Sequence, residues 1–251
     1  MAGIGFKLGR KLNNPALPVF KSWDYRPLLD ALTRVPSLAS FHTFTEESLV
    51  TKDGSNLVSA VEDLGPNGRT LTATGTDRPV FSPAGFSHLP SVLFDGTKKL
   101  ENPNMFDGSE KLSIACAIWA EGNDGVSRII VSDATDTGPN FYLGPNIYRV
   151  YSADVVRDEP LLATSPTWGI GAVDHVADTI SLYTRTGVTT DDTIRVKPVG
   201  EGNIGAWSDS IGTSNRYIGH LGDILIFNED LSQNETVRNL VIEYFTRKYR
   251  L

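Results

Sequence analysis

"GHLGDILIFNEDLSQNETVRNLVIEYFTRKYRL", residues 219–251, decides the fold. It reads as a strand, a short acidic turn and then a helix. Ile224, Leu225, Ile226 and Phe227 form a strand-sized apolar run ending at Asn228. Ser232 followed by Glu235 has the spacing of a capping box, in which each side chain meets a backbone donor at the far end of the first turn. Val237, Leu240, Val241, Tyr244 and Phe245 then recur at helical spacing, so a helix over 233–248 must bury one stripe against something. Arg247, Lys248 and Arg250 gather at its end, where cations suit the helix dipole.

What precedes that stretch is almost all strands and turns. "DGSN" at Asp53, "GPNG" at Gly65, "DG" at Asp95 and Asp107 and "GND" at Gly122 are reversal signals. Between them, "SVLFDG", "LSIACAIWA", "SRIIVSD", "NIYRVYSA" and "TISLYTRTG" are rich in β-branched and aromatic residues. In the last of these, Ile180, Leu182 and Thr184 fall on one face, with Ser181, Tyr183 and Arg185 on the other. The expected fold is all-β: two antiparallel sheets packed as a sandwich, with the terminal helix lying on it.

Composition agrees with one large domain. The chain has 251 residues, 40% of them apolar and 21% charged, with 23 Gly and 14 Pro to serve many turns. The single Cys116 sits in an apolar run, which excludes an internal disulfide and reads as a small buried hydrophobe. Lys7, Arg10, Lys11 and two prolines interrupt the first twenty residues, so a signal peptide is not expected, and no apolar run is long enough for a membrane span.

Charge divides the chain unevenly. Residues 1–40 carry six Lys/Arg against two acids, and the remainder carries 17 against 28, within a net charge of −7. An acidic body argues against nucleic-acid binding, which needs clustered cations. "NNPALPVF" has no periodicity, and Pro27 to Arg34 offers at most two helical turns before Pro36. Residues 1–40 therefore read as an irregular basic arm, either an attachment to a larger assembly or a leader wrapped on its own domain. Lys7, Arg10, Lys11, Lys21, Trp23, Tyr25 and Arg26 are the expected attachment residues, and 41–251 the domain.

The order of these features resembles the concanavalin A-like, laminin G-like jelly rolls of phage structural proteins and bacterial surface proteins. The resemblance rests on a loop with Asp63, Gly65 and Gly68, the pair Arg78 and Pro79, and the strand and turn from Val92 to Gly96. It continues in a closing strand with Gly222, Ile224, Phe227 and Asn228, and in an ending with Tyr244, Lys248, Tyr249 and Leu251. It spans about residues 40–251, leaving the arm unexplained. Such a jelly roll carries lectins, hydrolases and structural modules alike. With the basic arm it implies a virion protein made in a host cytoplasm: a decoration, fibre or tail-associated component acting in adhesion or architecture. Its partners would be other virion proteins and a host-surface glycan, in a homo-oligomer such as a trimer. A stand-alone lectin-like module is the alternative, and an atypical glycoside hydrolase or lyase ranks last.

The expected protein is not an enzyme. Hydrolysis on such a fold uses paired carboxylates spaced as E-x-D-x-x-E, and Glu62, Glu121 and Glu229 all fail that pattern. GxSxG, HExxH and phosphate-binding glycine loops are absent, and His42, His88, His175 and His220 are isolated in sequence. No cofactor is expected. For Ca²⁺, the loop acids Asp133, Asp136, Asp158 and Glu159 are the candidates, with solvated turns the stronger reading. For a glycan, Trp207 and Trp168 are the candidate aromatic platforms, followed by Tyr148 and Tyr151, while Trp119 belongs to the core.

Overall fold

The computed structural model describes residues 24–86, 88–120, 128–133, 140–144, 147–152, 155–160, 167–185, 187–191, 199–206 and 216–251. A short helix, α1 (Arg26–Leu32), comes first, with Pro27 in its first turn, where the missing N–H costs nothing. The strands are β1 (Leu38–Thr43), β2 (Val50–Lys52), β3 (Val58–Val61), β4 (Leu71–Thr72), β5 (Val80–Phe86), β6 (Leu89–Asp95), β7 (Leu100–Asp107) and β8 (Lys111–Ala120). They continue as β9 (Arg128–Asp133), β10 (Asn140–Gly144), β11 (Ile147–Ser152), β12 (Val155–Pro160), β13 (Thr167–Asp174), β14 (Thr179–Thr184), β15 (Val188–Asp191), β16 (Val199–Ile204) and β17 (Ile218–Phe227). Helix α2 (Glu235–Tyr249) closes the fold.

Two antiparallel sheets form the expected sandwich. One runs β15-β14-β13-β8-β17-β6-β5, and β1 takes over the edge of β17 that β6 leaves after Leu221. The other runs β12-β11-β10-β9-β16-β7-β4-β3-β2. Between them lie Val92, Phe94, Ile114, Cys116, Ile180, Leu182 and Ile224. Burial pushes the Cys116 thiol pKa well up, consistent with an inert core residue.

Strand β17 is covered on both faces, which is why its sequence is a continuous apolar run rather than an alternation. Leu221, Ile224 and Ile226 face the second sheet, whereas Leu225 and Phe227 face the helices. A register shift between Leu221 and Ile224 separates the two halves. At that shift Asp223, fully buried, receives Lys248 Nζ at 2.8 Å and the Tyr244 hydroxyl at 2.7 Å. Tyr244, Phe245 and Val241 are buried beside them against Phe41 and Leu225.

Two expectations need correction. The cap of α2 is Asn234, whose Oδ1 accepts the Val237 N–H at 3.1 Å. Ser232 is drawn instead to Asp230, donating through both its N–H and its hydroxyl, so the chain turns once more before the helix starts. Lys248 lies in the last turn of α2, as expected, and is a buried cation there. The domain also does not begin at residue 41: Leu32, Leu38 and Ala39 are buried, and α1 packs on α2. The apolar residues of α1 have nowhere else to leave water.

Loop 63–69 is held from within. The Asp63 carboxylate accepts N–H groups of Phe41, Gly65 and Arg69, each at 2.7 Å. Beside it, Ser40 Oγ and His42 Nε2 are 2.7 Å apart and fully buried. Burial holds the His42 pKa down at about 4. Between about pH 4 and 6.5 the unfolded chain therefore binds more protons at this residue than the folded one, so stability falls as pH falls through that window. The full effect approaches about 3 kcal/mol at 1.36 kcal/mol per unit. Denaturant midpoints measured from pH 7 to 4 should drop, and His42→Gln should flatten the profile; parallel profiles for the two proteins would contradict this assignment.

Candidate functional site

One cleft among the described residues lies where the chain enters β1 and leaves β17. Val35 and Pro36 follow α1 and lead to Ser37, whose carbonyl accepts the Asn228 N–H at 2.8 Å. Glu229 comes next and is fixed by two neutral donors, Ser37 Oγ and Asn234 Nδ2, each at 2.6 Å. Leu231 then turns inward, buried, with its N–H on Ser113 Oγ at 2.9 Å, and Ser113 donates to the Glu229 carbonyl at 2.6 Å. The resulting cleft has a volume of about 430 Å³.

Its polar lining is one carboxylate, Glu229, the amides of Asn228 and Asn234, and the Ser37 hydroxyl. Val35, Pro36 and Val237 supply the apolar part. Asn228 reaches out of the cleft to Asp107, donating at 2.6 Å, and Asp107 also receives Arg69 at 3.3 Å. Desolvation opposes ionisation of Asp107, but bonds from Ser109 and Asn228 outweigh it and lower its pKa. Chemically, this set can accept and donate hydrogen bonds to a hydroxyl-rich ligand while its apolar rim meets C–H surface. The sequence reading had met Glu229 only as a failure of the hydrolase pattern. Its partner Ser37 is 192 residues away, so no local motif could have disclosed it.

The other sequence candidates disperse. Trp168 is not a platform: it lies on β13 opposite Ala117, 6% exposed, and packs in the helix-facing core. Trp119, expected in the core, is half-buried and stacks on His220 with ring centroids 5.7 Å apart. Trp207 falls outside the described residues, but the carbonyl of the preceding Ala206 accepts Ser132 Oγ at 2.8 Å. Tyr148 and Tyr151 lie on β11, paired with Glu159 and Val156 of β12, and their side chains are outside the description.

The attachment residues divide in the same way. Lys7, Arg10, Lys11, Lys21 and Trp23 are outside the described residues, and Arg26 is exposed. Tyr25 is built into the fold, donating to Glu46 at 3.1 Å with its ring edge-on to Tyr244. Burial, and then the Glu46 charge, push its pKa up to about 12. Of the calcium candidates, Asp133 is fully buried, Asp158 and Glu159 lie on β12, and Asp136 is outside the description. Among the described residues no three His, Cys, Asp or Glu side chains gather as a metal site.

Among the described residues two serine–histidine pairs occur, Ser40 with His42 and Ser91 with His220, the second at 2.8 Å. Both serines are fully buried. Asp63, the carboxylate nearest to an orienting role for His42, spends its oxygens on the backbone N–H groups of Phe41, Gly65 and Arg69. The Ser40 pair therefore lacks both access and a third member of a nucleophilic triad. No helix among the described residues is long and apolar enough to cross a membrane.

No family model and no curated protein matches the sequence. Solved structures do match the fold. The Trypanosoma rangeli sialidase in complex with sialic acid is similar with a TM-score of 0.60 at 10% identity, over 86% of this chain and 34% of the sialidase. Domain 4 of AbnA, a GH43 extracellular arabinanase from Geobacillus stearothermophilus, in complex with arabinotriose, gives 0.55 at 13% identity, over 82% of this chain and 98% of that domain. The binding domain of botulinum neurotoxin DC in complex with SialylT gives 0.55 at 11%, over 83% of this chain and 51% of that one. The chain thus spans about a third of the sialidase's length, about half of the toxin domain and nearly all of the arabinanase domain. The jelly-roll expectation agrees with these β-sandwich neighbours. The expectation of a non-enzyme is corrected, because sialidases and a GH43 arabinanase stand among the most similar structures. The inference from a missing E-x-D-x-x-E run was too narrow: that run describes one strand, while a fold can bring carboxylates together from distant elements.

Proposed function

We propose that this chain is a carbohydrate-recognition β-sandwich module that takes a saccharide in the Glu229 cleft and is carried on a virion by residues 1–23. The observation that carries the reading is the cleft itself: a carboxylate held in place by a hydroxyl and an amide, with the Asn228 amide and an apolar rim beside it. Carboxylate and amide side chains suit the vicinal hydroxyls of sugars because each offers paired acceptors or both a donor and an acceptor. Support comes also from the fold, shared with structures whose bound molecules are sialic acid and arabinotriose. The virion carrier rests on the excess of cations in residues 1–40 of an otherwise acidic chain, and on the resemblance to phage jelly rolls.

Binding to an immobilised glycan array, followed by titration calorimetry on the best ligand, tests the cleft. Glu229→Gln should weaken that ligand about ten- to a hundredfold, as expected for loss of hydrogen bonds to a charged acceptor. Retention of full affinity would remove the cleft from the function. Failure to retain any glycan would remove saccharide recognition altogether.

A further inference from the structure

We infer that the cleft selects uncharged or amino-bearing saccharides and rejects acidic ones of the sialic acid kind, an inference that rests on the reading of the cleft as a saccharide site. The start of a 15-residue helix such as α2 ordinarily attracts anions through its exposed N–H groups and dipole. Here the chain has already placed its own anion there. Glu229 bonds the cap residue Asn234, and Glu235 occupies the first turn.

No cation bonds Glu229 among the described residues: both of its hydrogen-bond partners, Ser37 and Asn234, are neutral. The cations on surrounding elements make their bonds elsewhere. Lys111 pairs with Asp174 at 2.8 Å, Arg69 with Asp107 at 3.3 Å and Arg34 with Asp30 at 2.8 Å. Arg238 donates to the carbonyls of Leu231 and Ser232 at 2.7 and 2.9 Å. Glu229 is among the acids that raise the Lys111 pKa, but Asp174 does so first and takes the bond.

An ionised carboxylate offers about four acceptor positions, and Glu229 uses two, leaving acceptors for sugar hydroxyls or an ammonium. An incoming carboxylate has nothing to donate to them and meets a like charge a few ångströms away. At such separations near a surface, the repulsion corresponds to a loss of about tenfold or more. The selectivity is thus opposite to that implied by the sialic acid in the matching sialidase structure.

Paired probes isolate the charge. The full chain is put on an array carrying neutral, amino and sialylated glycans, and each retained core is titrated with and without its sialic acid. The neutral or amino-bearing core should bind at least about tenfold tighter than its sialylated form. Glu229→Gln should narrow the gap, and Val237→Lys, which sets an ammonium at the rim, should close or reverse it; melting temperatures confirm that both variants are folded. Equal or tighter binding of the sialylated form, or a gap that neither variant moves, would overturn the inference. Retention of no glycan would instead overturn the saccharide reading beneath it.

Discussion

Lys248→Ala is expected to cost about 3–5 kcal/mol of folding stability, the loss typical when one member of a buried ion pair is removed. Total stabilities of about 5–15 kcal/mol are ordinary, so this single change should lower the urea midpoint steeply. Lys248 is 2% exposed and Asp223 is not exposed at all. Without the ammonium, Asp223 keeps only the Tyr244 hydroxyl among the partners described above, and the Thr43 hydroxyl loses its donor at 3.1 Å. The rings of Tyr25, Tyr244 and Tyr249 stand 5.2–5.7 Å from the ammonium and would face a void. The double variant Lys248→Met with Asp223→Leu removes both charges and should recover most of the loss, since apolar replacements of buried pairs are often neutral or better. A Lys248→Ala midpoint within experimental error of the original would mean that the pair contributes nothing to holding α2 on the sheet.

That pair shows what the sequence could and could not disclose. Val241, Tyr244, Phe245 and Lys248 follow the spacing i, i+3, i+4, i+7, so Lys248 lies on the buried stripe of α2. Its charge alone points only to the dipole at the helix end and says nothing of burial. The strands and turns were legible because their signals are local: Asp53 caps its own turn through the N–H groups of Ser55 and Leu57, and Gly96 and Gly108 take positive φ after their aspartates. Trp168 was misread because "SPTWGIG" carries loop-like punctuation, whereas pairing with β8 and cover by α2 decide its burial. Neither is visible in seven residues. The cleft was invisible for the same reason, since Val35–Ser37 and Asn228–Val237 meet only where β1 pairs with β17.

The arm reading can now be cut at a different place. Removing residues 1–37 is expected to unfold or severely destabilise the domain, because α1 and its exit turn are part of the core. Leu32 is fully buried, and Tyr25, Leu28, Leu29 and Val35 are half-buried on the cluster that holds Phe41, Leu225 and Tyr244. Exposing one whole leucine and parts of four other side chains amounts to roughly 5 kcal/mol of lost burial. The same cut deletes Ser37, and with it one of the two donors that orient Glu229 and the carbonyl that pairs with Asn228. Removing residues 1–23 instead deletes none of the contacts described here, yet takes away Lys7, Arg10, Lys11, Lys21 and Trp23. The shorter deletion should keep the urea midpoint of the full chain and its glycan affinity while losing incorporation into particles. A cut at residue 40 would confound the two effects, since loss of incorporation would follow from unfolding alone. Two outcomes count against this division of labour: a 1–37 deletion as stable as the full chain, which would make α1 dispensable, or a folded 1–23 deletion that still enters particles, which would place attachment on the sandwich.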